Sequence, residues 1–273
     1  MSWSSLRVEA GAARQEALAA LFAAGAQGVH EDGTSLVTHF PPDTDMPAIV
    51  AAIRIAAPDA QCEVGTADET DWSVAWRERL RAHDLGALTI TPPWLAEGLD
   101  PSRTVVIDPG MAFGTGDHPT TRGVVRLLQE VMSPGLVVAD LGAGSGVLAI
   151  AAAKLGASRV FAVEYDNEAI ANAEENVQAN GVEGVVHVFE GDAGVLLPLV
   201  APVDLIVANI ISSVLVELLP TMHDALRPGG VAILSGILTD ETASMLESLG
   251  PDRWVVRATD VEENWWSVTI ARP

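Results

Sequence analysis

Residues 137–166 read VVADLGAGSGVLAIAAAKLGASRVFAVEYD. A buried-strand run, Val137 to Asp140, gives way to three alternating glycines, Gly142, Gly144 and Gly146. An apolar helix follows, and a second strand ends in acids at Glu164 and Asp166. This is a βαβ unit with a glycine turn at its first crossover. Such a turn presents backbone N–H groups to a nucleotide. The stretch decides the fold class, and the spacing of its glycines bears on which nucleotide is held.

A dinucleotide fingerprint requires G-x-G-x-x-G, its third glycine allowing close helix–strand packing. Here Val147 stands where that third glycine belongs, which weakens a pyrophosphate reading. A phosphate loop is excluded because no Gly-Lys-Ser/Thr follows. Glu164, at the tip of the second strand, suits the hydroxyls of a ribose, a feature common to NAD and to adenosyl ligands. Asp140, just before the glycines, suits a ligand that brings an ammonium group to the loop. S-adenosylmethionine has an amino-acid end, a sulfonium and an adenosine, and carries no phosphate. A bare glycine turn without a ligand is the remaining reading, and three alternate glycines at one strand end argue against it.

Two further segments belong with the loop. IDPGMAFGTGDHPTT, Ile107 to Thr121, runs into an amphipathic helix, with Pro119 near the first helical position, where its missing N–H costs little. The helix start offers free N–H groups to a carboxylate, and Thr121 lies in that first turn. Phe113 is placed to close over a ligand. His118 reads either as a general base or as a cap and packing residue. VDLIVANIISSVL, Val203 to Leu215, is a buried strand ending at Asn209. In a doubly wound sheet the carboxyl ends of strands face the ligand crevice. Asn209 therefore reads as a holder of the incoming nucleophile or of the cofactor, with a helix N-cap as the plainer alternative. Asp192, in EGDAG, reads either as a contact to an adenine amino group or as a turn aspartate.

Around these segments the pattern divides into three. Residues 1–67 follow the order βαββαβ, with Asp32-Gly33 as a hairpin turn, and predict a small ferredoxin-like module. Residues 68–100 form a polar connector whose helix, Glu69 to Gly86, carries Trp72 and Trp76, read as an anchor between modules or as a ligand platform. Residues 101–273 alternate β and α, which predicts a mostly parallel sheet covered on both faces, a Rossmann-like doubly wound α/β domain. Strands are expected at 104–108, 136–140, 159–164, 185–190, 203–208, 230–235, 254–261 and 265–271. Helices are expected near 119–132, 145–156, 167–180, 213–226 and 240–249. Only Glu263-Asn264 separates the last two strands, so the final one is expected to run antiparallel.

Composition narrows the function classes. The chain has 273 residues, 49% of them apolar, enough for two domains. No run is long and apolar enough for a membrane helix, and the start lacks a signal-peptide pattern. A single cysteine, Cys62, excludes an internal disulfide, and no metal site is expected. These features predict a cytoplasmic protein. The net charge of −22 argues against direct nucleic-acid binding and favours a basic partner, solubility being the plainer account.

Taken together, DPGMAFGTGDHPTT, DLGAGSGVLAIAAAKLGA and VANI resemble the class I S-adenosylmethionine-dependent methyltransferases. More narrowly they resemble the PrmA-type ribosomal protein methyltransferases. The resemblance covers essentially the whole chain, with the N-terminal module and the connector corresponding to that family's substrate-recognition domain and linker. It implies methylation of lysine ε-amines, and of the α-amine, of a basic large-subunit ribosomal protein, number eleven. It implies cofactor contacts at Thr121, Gly142, Glu164 and Asn209, and it is the resemblance that selects Thr121 over Thr120. The reading of the residues adds Gly144 and Asp192 to the cofactor set and gives Asn209 the catalytic, amine-orienting role. Two departures stand out: Asp117 where the family often has Thr, and NIISSVL in place of the usual Asn-Ile-Leu-Ala run. A related methyltransferase acting on another protein lysine or on a small amine is the alternative. A non-catalytic RNA-binding module and an NAD oxidoreductase are more distant ones.

Overall fold

The computed structural model describes residues 3–26, 29–33, 35–67, 80–108, 114–250 and 252–273. The chain divides into two compact units, Met1–Arg79 and Leu80–Pro273.

Among its described residues the smaller unit follows the order βαββαβ. Its elements are β1 (Trp3–Glu9), α1 (Arg14–Ala23), β2 (His30–Asp32), β3 (Ser35–Phe40), α2 (Met46–Ala56) and β4 (Gln61–Ala67). The strands form one antiparallel sheet in the order β2-β3-β1-β4, as in a ferredoxin-like module. Alternation on β1 turns Leu6 and Val8 inward, where they meet Leu21 of α1 and Ile53 of α2 in one core. Asp45 caps α2 by accepting from the Ala48 N–H at 3.1 Å.

The larger unit holds two sheets. β5 (His83–Asp84), β6 (Thr89–Thr91) and β7 (Thr104–Val106) form a small three-stranded sheet. The first strand of the regular alternation, expected at 104–108, is therefore β7 of this separate sheet and not a member of the main one. β5 also lies where the connector helix was expected to end, and Trp72 and Trp76 fall outside the described residues. The short edge pairs with β6 through His83–Ile90 and Asp84–Thr89.

The main sheet has seven strands: β8 (Val137–Leu141), β9 (Arg159–Glu164), β10 (Val186–Glu190), β11 (Val203–Asn209), β12 (Leu226–Leu238), β13 (Val255–Glu262) and β14 (Trp265–Ala271). Their order is β10-β9-β8-β11-β12-β14-β13, parallel from β10 to β12, with β14 antiparallel to both of its neighbours. The last strand thus inserts between β12 and β13. The two-residue turn that feeds it carries Glu263 at φ 54, a left-handed conformation suited to a tight hairpin.

Helices cover both faces. α3 (Pro119–Val131), α4 (Val147–Lys154) and α5 (Asn167–Ala179) pack over one core, with Val124, Leu128, Ile150 and Val177 inside it. α6 (Ala193–Val200), α7 (Ser212–Ala225) and α8 (Thr242–Leu249) pack over the other, with Leu197, Leu219 and Met245. α4 is apolar all round because it is enclosed, Val147 to Ala152 being buried without a break. α6 was not anticipated: Gly194 and Pro198 break its pattern, and tertiary packing of Leu197 overrides them. Among the described residues no helix is long and apolar enough to cross a membrane.

Candidate functional site

The carboxyl ends of β8, β9 and β11 meet at the glycine loop, and the switch in strand order falls between β8 and β11. Gly142, Gly144 and Gly146 have φ values of 72°, 52° and 81°. The left-handed backbone at Gly142 matters most. A Cβ there would lie 2.3 Å from Ile210 Cγ2, so the loop approaches the β11 end as closely as only glycine permits.

Glu164 stands across from this loop. Its Oε2 accepts from the Gly144 N–H at 2.7 Å, and its Oε1 accepts from the N–H groups of Tyr165 and Asp166 at 2.8 and 2.9 Å. A carboxylate has about four acceptor positions. Three are taken by backbone, so a ribose diol held through both oxygens has to displace one of these bonds. The sequence reading assumed a carboxylate open to both hydroxyls; in the structure the same group also fastens the glycine loop.

Three cavities adjoin here. One of ≈ 180 Å³ is lined by Gly114, Gly142, Gly144, Glu164 and Asn209 among others. A second of ≈ 540 Å³ extends past Glu164 and Tyr165 to Asp192 and Val214. The third, ≈ 460 Å³ and mostly apolar, is lined by His118, Thr120, Asn209, Ile211, Val214 and Trp265 among others. Ile210 lines all three, and Asn209 lines the first and the third. Asn209 closes β11, and its amide is not spent on any neighbour among the described residues. It does not cap α7, whose start has no side-chain cap, while Ser212 donates to Glu241 Oε1 at 2.7 Å.

Gly142, Gly144, Glu164 and Asn209 are thus brought to one cavity, with Asp192 on the next. Asp192 lines that second cavity and also caps α6 by accepting from the Val195 N–H at 3.2 Å. Thr121 differs. It is fully buried, lines none of the cavities, and its Oγ1 has no hydrogen-bond partner. Its neighbour Thr120 lines the apolar cavity, and its hydroxyl meets His118 Nδ1 at 2.8 Å. Asp140 is likewise enclosed, both oxygens without a partner. Burial pushes its carboxyl up to about 7; the Ala149 N–H opposes the shift without reaching hydrogen-bond geometry, and the Glu164 charge adds to it. Buried polar groups are normally satisfied, and these two are exceptions to that rule. The glycine cradle and the acid at the β9 tip both line one cavity and fit an adenosyl ligand.

The apolar cavity was not legible as a unit. His118 caps α3: its Nδ1 accepts from the Thr120 N–H at 3.3 Å. Its ring meets Trp265 edge to face, the centroids 5.0 Å apart. Burial, then the Arg122 charge, lower its pKa, which keeps the imidazole neutral near pH 7. Trp265 opens β14 and owes its place to the hairpin at the sheet edge. That hairpin is tied to α3 by a charged cluster. Arg126 donates to both oxygens of Asp260 at 2.8 and 2.6 Å and to Glu262 at 2.6 Å, while Arg122 Nε reaches Glu262 at 2.9 Å. Burial pushes the Glu262 carboxyl up, and the two arginines overcome this and hold it below its ordinary value. Arg122 also donates to the Asp117 carbonyl, and Asp117 Oδ1 accepts from His83 Nε2 at 2.7 Å. The acid that departs from the family pattern therefore anchors the His118 segment to β5. Phe113 lies outside the described residues.

Residues 3–273 of this chain match the family model described as ribosomal protein L11 methyltransferase (PrmA). A ribosomal protein L11 methyltransferase of Bacillus cytotoxicus is 34% identical over 252 residues, covering 87% of this chain and 80% of its own. One from Listeria monocytogenes is 33% identical over 275 residues, covering 95% and 86%. The crystal structure of a ribosomal protein L11 methylase from Lactobacillus delbrueckii subsp. bulgaricus superposes with a TM-score of 0.63 at 33% identity, over 70% of this chain and 98% of that one.

Proposed function

The chain belongs to the ribosomal protein L11 methyltransferase family, and from that premise we propose a division of labour among its three cavities. The enzyme is an S-adenosylmethionine-dependent protein methyltransferase. Its acceptors, in this reading, are lysine ε-amines and the N-terminal α-amine of a basic large-subunit ribosomal protein, met in the cytoplasm. The observation that carries the reading is Asn209, one polar amide on the wall between a glycine-and-acid cavity and an apolar one.

Gly142, Gly144, Glu164 and Asp192 would hold the nucleoside. The cofactor supplies a methyl group already activated on a sulfonium, so no strong nucleophile has to be generated. What remains for the protein is alignment and desolvation of an amine. A free lysine, with a pKa of about 10.4, arrives protonated. The apolar cavity, walled by Ile210, Ile211, Val214 and Trp265, disfavours the ammonium form. Its wall includes no carboxylate among the described residues, so the proton leaves to solvent on the way in. Asn209 then orients the neutral amine through its carbonyl oxygen. His118, its Nδ1 already engaged by Thr120, forms the wall and does not act as the base.

The test is incubation of the enzyme with S-adenosylmethionine and ribosomal protein L11, read by intact mass and fragmentation. Mass gains in methylene steps at amines support the reading. Cofactor binding without any gain would leave a methyltransferase acting on another amine. Asn209→Ala is expected to lower kcat/KM about a hundredfold, the range seen when one oriented polar contact is lost. Turnover and cofactor affinity both near wild type would remove Asn209 from the mechanism.

A further inference from the structure

Asn172, Asn176 and Asn180 recur every fourth residue along and just beyond α5, within NAEENVQAN. Side chains at that spacing share one helix face. Here the face pairs with backbone. Asn180 accepts from the Val106 N–H at 2.9 Å and donates to the Val106 carbonyl at 2.6 Å. Asn176 repeats this two residues on, accepting from the Asp108 N–H at 2.9 Å and donating to the Asp108 carbonyl at 3.1 Å. Asn172 donates to the same carbonyl at 3.1 Å. The amides stand in for a missing neighbour strand along the edge that leads to Asp108.

Asn176 makes a bond to the glycine loop that Asn180 does not. Its Nδ2 also donates to the Ser145 carbonyl, inside the glycine loop, at 3.0 Å. Ser145 in turn donates its hydroxyl to the Gly114 carbonyl at 2.6 Å. Asp108 and Gly114 are both fastened to Ser145, one through Asn176 and one directly. Asn176 is 1% exposed and lines none of the three cavities. It can affect a ligand there only through the backbone it holds.

We propose that Asn176 is a positioning residue for cofactor binding. It locks Asp108 and the glycine loop into one frame, so that Gly114 and Gly142 are set as walls of the ≈ 180 Å³ cavity before the cofactor arrives. This rests on the reading of that cavity as the cofactor site. Asn180 is the internal control: the same helix face and strand edge, the same paired bonds, and no link to Ser145.

The experiment compares Asn176→Asp and Asn180→Ala in the full chain. Asn176→Asp keeps the shape and the acceptor for the Asp108 N–H but faces two carbonyls with oxygen. Affinity for S-adenosylmethionine and S-adenosylhomocysteine is measured by calorimetry, well below each Tm, with kcat and both KM values alongside. Asn176→Asp is expected to weaken both cofactor Kd values at least tenfold, while KM for the protein substrate stays within twofold. Asn180→Ala is expected to lower Tm yet keep cofactor Kd within twofold. Equal loss of affinity in the two variants, or loss of Tm alone in Asn176→Asp, would overturn the proposal. Should Asn176→Asp not fold, Ser145→Ala tests the same frame by deleting the hydroxyl that catches Gly114, with a fivefold loss of affinity expected and an unchanged Kd overturning it. Glu164→Gln measured in parallel separates the layers. If it too leaves cofactor affinity intact, the site reading fails; if it weakens binding and the Asn176 and Ser145 variants do not, only the frame fails.

Discussion

The two cavities that meet at Asn209 are built by different means. The side proposed for the cofactor is mostly backbone: left-handed glycines, N–H groups gathered by Glu164, and strand ends adjacent in the sheet. The apolar side is made of side chains that only packing brings together: His118 from the start of α3, Ile211 and Val214 around the start of α7, and Trp265 from the last strand. A backbone site tolerates almost no substitution at its tight points. A side-chain site loses affinity residue by residue. In the proposed assignment, substrate specificity can therefore change on the apolar side while the cofactor side stays fixed.

The largest effect is expected at Gly142→Ala. The left-handed φ costs an alanine about 1–2 kcal/mol, and the 2.3 Å contact with Ile210 adds to it. Cofactor Kd by calorimetry should rise by about a hundredfold, and a change under threefold would show the loop to be more yielding than the comparison requires. Trp265→Ala should raise KM for the protein substrate about tenfold, the loss of one large aromatic wall, with cofactor Kd within twofold. A shift in cofactor affinity instead would mean that the two cavities act as one.

Asp140 offers a pH test of the cofactor side. Its folded pKa is raised from 3.8 to about 7, so its contribution to stability is full below about pH 4 and is lost as pH rises through 7. Tm of the ligand-free enzyme should fall relative to Asp140→Asn across that window. Adding S-adenosylmethionine should narrow the gap if the ammonium end of the cofactor lies beside Asp140; a gap that persists unchanged would leave that carboxyl without a ligand. The smallest effect is expected at Arg126→Met, which unties α3 from the β13–β14 hairpin. The pair is partly exposed, so about 1 kcal/mol, or 2–4 °C in Tm, is expected, with a modest rise in protein-substrate KM and none in cofactor Kd.

How much was legible follows the same division. Alternating β and α patterns placed the seven strands from Val137 onward and four of the five helices among them, because each element's burial is written in its own periodicity. The antiparallel last strand was legible from a two-residue turn, but its insertion between β12 and β13 was not, since pairing partners are chosen by the sheet as a whole. α6 was hidden by Gly194 and Pro198. β7 reads like any other strand, yet it belongs to a separate sheet with β5 and β6. Gly142, Gly144, Glu164 and Asn209 were legible because strand ends and glycine turns are local features with a fixed place in a doubly wound sheet. Trp265 was not, because nothing in its own neighbourhood points to His118.

By itself, then, the sequence determined the βαβ core, the glycine loop without a pyrophosphate fingerprint, the acid at the β9 tip and the amide at the β11 tip. Each depends on backbone conformations that a few adjacent residues dictate. Tertiary structure alone decided that Glu164 also fastens Gly144, that Thr121 and Asp140 are enclosed without partners, and that Asn176 bonds Asp108 and Ser145 at once. It also decided that Arg122 and Arg126 hold the hairpin behind Trp265. These contacts join residues as far as 140 positions apart. Their geometry is set by the packing of helices on the sheet, which no local pattern encodes.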